Sequence, residues 1–154
     1  LRGANLKKAN LAAARIDSAD LSSATLKWAN LEGASLRDCS LREADMEGAR
    51  FKGADMAAAD LAGARFMQAN LTEAKLSGAN LIGAILTDAN CTRALLQGAS
   101  LIKADLRKAV MDNADLTGAD LTNADLKDAR VERKWKKMLE RQKVRGYADI
   151  RWTD

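Results

Sequence analysis

The chain has 154 residues, with 25 Lys and Arg against 21 Asp and Glu, a net charge of +4, no His and no Pro. Without His, Ser-His and Cys-His nucleophile pairs and imidazole metal ligands are all removed. No apolar run approaches the ~18 residues of a membrane span, and the amino end does not resemble a signal peptide.

From Leu1 to Leu126 every fifth residue is hydrophobic, in unbroken phase: 19 of these 26 positions are Leu, and the others are Ile16, Met46, Phe51, Met56, Phe66, Cys91 and Met111. The position two residues before the next hydrophobe, from Ala4 to Ala129, is Ala in 25 of 26 cases, with Cys39 the exception. Such internal repetition outranks local propensity as a guide to architecture. On an α-helix five residues advance about 500°, so the Leu residues would spiral around the cylinder. On a flat strand an odd period would alternate them between faces. The chain must therefore turn within each pentapeptide, and four short sides bring it back over itself after twenty residues, with coils about 4.8 Å apart.

Units such as Ala4-Asn5-Leu6-Lys7-Lys8 and Ala59-Asp60-Leu61-Ala62-Gly63 resemble the pentapeptide-repeat family. The resemblance covers residues 1–130 and implies an all-β solenoid, a right-handed quadrilateral β-helix of six to seven coils with Leu and Ala inside. Nine of the ten Gly occupy the second residue after the hydrophobe, where a type II turn requires a positive φ. The missing Pro suits an uninterrupted backbone ladder. Asn and Asp recur just before the hydrophobe, as at Asn5, Asp20, Asn30 and Asp60, where a short polar side chain can accept from a neighbouring backbone amide.

Departures from the repeat mark candidate surfaces. Lys7, Lys8, Lys27 and Trp28 are expected to cluster on one side, where Trp28 either stacks on a partner or lies along the Lys8 stem and over Gly48. Ile82 and Ile102 share an outward slot one coil apart, and Ile85, Leu95 and Val110 stand in corner slots that are usually polar. Together they form a candidate partner surface, against the alternative of half-buried corner residues. Asp105 and Asp125 are expected as axial neighbours, with Asp45 further along the column. These are solvated corner residues and not a metal site, since Ca²⁺ needs more oxygen ligands. Cys39 and Cys91 lie more than two coils apart, beyond the ~7 Å reach of a disulfide, and are expected to be buried thiols, which points to a reducing, cytoplasmic setting. A core filled by Leu and Ala leaves no cavity of the size small molecules need. No catalytic, cofactor or metal site is expected.

After Ala129 the beat stops. Residues 1–130 carry 17 basic and 17 acidic side chains, whereas 131–154 carry 8 and 4. Helical spacing from Val131 to Arg145 places Val131, Trp135, Met138, Leu139 and Gln142 on one face, with Gly146 as terminator. Residues 131–154 are thus expected to be an α-helix and tail capping the last coil, where exposed backbone and apolar surface would invite association. The rival is a basic helix that binds an acidic partner, a membrane surface or a calmodulin-like groove. The chain starts in mid-repeat at Leu1, so it is expected to be part of a longer protein, its first coil either covered by upstream residues or paired with a second copy.

The function these features indicate is a noncatalytic scaffold that presents a rigid surface to a protein partner. The family resemblance implies an alternative, DNA mimicry directed at a type II topoisomerase, which the neutral repeat and basic tail disfavour. Nucleic-acid or acidic-partner binding through the basic C-terminal segment is the remaining alternative.

Overall fold

The computed structural model describes residues 1–154. The chain winds into a right-handed, four-sided β-helix, with residues twenty apart paired in parallel register from Asn5↔Thr25 to Asp105↔Asp125. The first side carries Leu1, Leu21 and onward to Leu121; the second Leu6 to Leu126; the third Leu11 to Met111; the fourth Ile16 to Leu116.

Each pentapeptide closes on itself and bonds to the next coil. Within a unit, the Ala9 amide donates to the Leu6 carbonyl at 3.0 Å, closing a tight turn. Between coils, Leu6 N–H donates to Thr25 O at 2.8 Å and Thr25 N–H to Ala4 O at 2.9 Å. Side chains seal the corners as expected. Asn5 Oδ1 accepts from Lys7 N–H at 3.2 Å, Asp20 Oδ1 from Ser22 N–H at 2.9 Å and Asn80 Oδ1 from Ile82 N–H at 3.2 Å.

The core is one continuous column of 48 buried residues containing no polar or charged side chain. Its large members include Phe51 and Phe66, which pack edge to face with centroids 5.6 Å apart. Cys39 and Cys91 are buried free thiols within this column. Leu6, Leu11 and Ile16 are only partly buried in the first coil.

Beyond the repeat the chain forms β1 (Arg130–Glu132), a 3-10 turn over Arg133–Trp135, α1 (Lys136–Arg141), a second 3-10 turn over Tyr147–Asp149 and β2 (Arg151–Thr153). The helix is shorter than the spacing predicts: Val131 lies in β1, because its backbone still continues the third side of the coil and pairs with Trp152 in β2. Gly146 has a φ of 64° but caps the start of the second 3-10 turn, five residues after α1 ends. A Cβ there would stand 2.6 Å from Lys127 N, so close backbone approach is what requires glycine.

The four Ala carbonyls of the last coil each find a donor in this segment. Ala124 O accepts from Arg145 N–H at 2.7 Å and Ala129 O from Arg151 N–H at 2.8 Å. Side chains replace backbone at the other two, Trp135 Nε1 donating to Ala114 O at 3.3 Å and Gln142 Nε2 to Ala119 O at 2.9 Å. Gln142 Oε1 also accepts from Leu121 N–H at 2.6 Å. Val131 and Leu139 are buried and Trp135 and Met138 partly buried against the core, so the apolar residues that a groove-binding helix would offer are engaged within the molecule.

Candidate interaction surfaces

The register distributes the five candidate aliphatics around all four sides, so they do not form one patch. Ile82 and Ile102 stack on the first side; Ile85 stands in the Arg65↔Ile85↔Asp105 column at the start of the second, Val110 in the Asn90↔Val110↔Arg130 column of the third, and Leu95 in the Lys75↔Leu95↔Asp115 column of the fourth. The physical reason is the five-residue step: slots 5, 10 or 15 residues apart point in different directions, and only those 20 apart align.

Ile82, at 42% exposure, and the partly buried Ile102 therefore stand apart from the rest. On the first side they continue a stretch of Ala62, Gly63, Ile82 and Gly83, none of it charged. Glu43 lies at one end, its Cγ 3.4 Å from where a Gly63 Cβ would be, and Lys103 at the other.

Lys7, Lys8, Lys27 and Trp28 do share the second side, as their register requires. Their charge is less available than the sequence implies. Lys27 Nζ lies 2.9 Å from Glu47 and 3.2 Å from Asp45, and these hydrogen bonds, that to Glu47 foremost, raise its pKa. Trp28 is 48% exposed. Its ring lies over Gly48, where an added Cβ would collide with it.

The stacked carboxylates are compensated individually. Asp105 and Asp125 are neighbours, but Arg107 binds Asp105 with contacts of 2.6 and 2.8 Å and Arg145 approaches Asp125 at 3.8 Å. Burial pushes the Asp105 carboxyl up, yet the bonds from Arg107 outweigh it and leave the pKa lowered. No group of His, Cys, Asp and Glu is arranged to hold a metal. Burial pushes the Cys91 thiol up to about 12 and also raises Cys39, whose Sγ donates to Ile16 O.

Two surface hollows, of about 270 and 330 Å³, lie on the second side and share Thr87 and Arg107. Both lie on the outer wall, about which the expectation of a filled core said nothing. Long side chains one coil apart (Arg107, Lys127) rise around the short Thr87, a contrast that no single pentapeptide displays.

A family model described as pentapeptide repeats matches in eight copies, over residues 1–33, 19–57, 49–88 and 89–128. A search of curated proteins finds no match. Among solved structures, the chain is similar to the pentapeptide repeat protein Rfr23 of the cyanobacterium Cyanothece 51142, with 23% identity, 82% of this chain and 87% of that one covered, and a TM-score of 0.52. It is also similar to a pentapeptide repeat protein of the Arabidopsis thaliana thylakoid lumen (29% identity, 79% and 74% covered, TM-score 0.46). A third is HetL of Nostoc sp. strain PCC 7120, involved in heterocyst differentiation regulation (33% identity, 81% and 61% covered, TM-score 0.31). Because the five-residue match spans nearly the whole coil, this chain belongs to the pentapeptide-repeat family.

Proposed function

We propose that the protein is a noncatalytic scaffold whose first side, centred on Ile82 and Ile102, docks a protein partner. The observation that carries this is the exposure of Ile82 on an uncharged stretch of the first side, bordered by the Arg42–Asp60 ion pair at one end and Lys103 at the other. A continuous ladder of backbone bonds supports each outward side chain, so docking needs little ordering of the surface and loses little affinity to conformational entropy. The partner reads a flat, fixed pattern of small and aliphatic residues.

Affinity capture on the immobilised protein, compared with an Ile82→Asp/Ile102→Asp variant, tests the assignment. Both side chains point outward, so the variant is expected to retain the wild-type circular dichroism while losing the captured protein. Equal capture by both forms would refute the first side as the docking surface.

A further inference from the structure

We propose that the smaller hollow on the second side binds a compact oxyanion of the phosphate type, with Lys108, Lys127 and Arg107 as its contacts. The hollow is lined by Thr87, Arg107, Lys108, Lys127 and Asp128 and has no hydrophobic residue. At about 270 Å³ it has room for a phosphate group and its water.

The chemistry of the lining is set by which charges are already engaged. Lys108 and Lys127 take part in none of the ion pairs on this part of the molecule, which join Arg107 to Asp105, Arg145 to Asp125 and Arg151 to Asp128. The one carboxylate of the hollow, Asp128, has Arg151 at 3.6 Å. Arg107 is held by Asp105 through Nε and one terminal nitrogen, which leaves its other terminal nitrogen to donate and fixes the guanidinium in advance. The Thr87 hydroxyl is buried and faces the Asp105 carboxylate, whose pKa it helps to lower, so Thr87 shapes the hollow without supplying a free donor to it. A tetrahedral oxyanion satisfies the free donors together: its oxygens accept from the two ammonium groups and the guanidinium.

The surroundings favour a small anion over a strand of nucleic acid. The adjoining hollow is lined by Glu47, Asp88 and Asp105, and Asp128 stands at the opposite end. Further phosphates along the coil axis would meet these carboxylates.

The test is a titration of the full chain with inorganic phosphate, followed by backbone amide NMR, against sodium chloride at matched ionic strength. Saturable shifts at Thr87, Lys108 and Lys127 with phosphate alone are expected. Lys108→Gln and Lys127→Gln should each weaken the apparent affinity by roughly threefold or more, the loss of one charged contact at an exposed site. Lys52→Gln, on the third side, should leave it unchanged. A response that chloride reproduces, shifts that do not saturate, or affinities unaltered in both Lys108→Gln and Lys127→Gln would overturn the proposal.

Discussion

The second residue after each repeated hydrophobe has a positive φ throughout the coil, from 66° at Gly3 to 61° at Asp128, although Gly occupies only nine of those slots. An L residue with a side chain is less stable in this region by about 1–2 kcal/mol, so the turn is imposed by the inward Leu and Ala on either side and tolerated by what lies between. Gly therefore identifies the turn in the sequence where it occurs, while Lys8, Trp28 and Asp88 adopt the same backbone with no local sign of it. Gly98→Ala adds a Cβ in open space and should lower stability by about 1 kcal/mol through φ alone. Gly48→Ala should cost more, because its Cβ collides with the Trp28 ring, and the Trp28 indole NMR signal should shift. Equal losses in thermal melts of the two variants, with an unmoved indole signal, would show that Trp28 does not pack there.

At the scale of elements, the end of the five-residue beat after Ala129 is visible in the sequence, but the manner in which the chain closes the coil is not. Helical periodicity marked Trp135, Met138 and Leu139, and all three face the core. It assigned Val131 to the same helix, where the structure places a strand, because unpaired coil edges attract backbone more strongly than local spacing directs it. Gln142 is the clearest case. The sequence shows one polar residue on an apolar helix face, whereas the fold uses its amide as a stand-in for missing peptide groups at Ala119 and Leu121. Gln142→Ala leaves a buried donor and acceptor unmatched, at about 1–3 kcal/mol each. Hydrogen exchange should accelerate at the Leu121 amide while the Leu61 amide, three coils away, keeps its protection; unchanged exchange at Leu121 would remove Gln142 from the closure.

The whole molecule behaves as a stack in which each coil touches only its neighbours, and its pH response follows from groups spread along that stack. Side-chain bonds from Ser35, Ser22, Thr117 and Thr122 are the leading causes that hold Asp17, Asp20, Asp115 and Asp120 below the usual carboxylate range. Their stabilisation is present above the unfolded value of about 3.9 and is lost as pH falls through the folded values. Cys91 acts on the other limb. Its folded pKa of about 12 exceeds that of an unfolded thiol, about 8.5, so its contribution is complete below the unfolded value and disappears as pH rises toward the folded one. Denaturant melts across pH should show a plateau between roughly pH 5 and 8, and Cys91→Ala should make the alkaline decline shallower. An unaltered alkaline limb would exclude the thiol as its source.

By itself the sequence determined the coil, its inward residues, its turns and its corner hydrogen bonds, because a period of five fits neither a helix stripe nor a flat strand and forces a turn in every unit. It also determined which outward residues stack, since those contacts recur every twenty positions. The tertiary structure alone decided how outward side chains pair within and between those columns: that Lys27 is neutralised by Asp45 and Glu47, and that Lys108 and Lys127 border one hollow with Thr87 while staying out of the ion pairs around it. Outward side chains are not constrained by the repeat. Their pairing depends on reach and charge across coils and around corners, which only the assembled helix brings within hydrogen-bond distance.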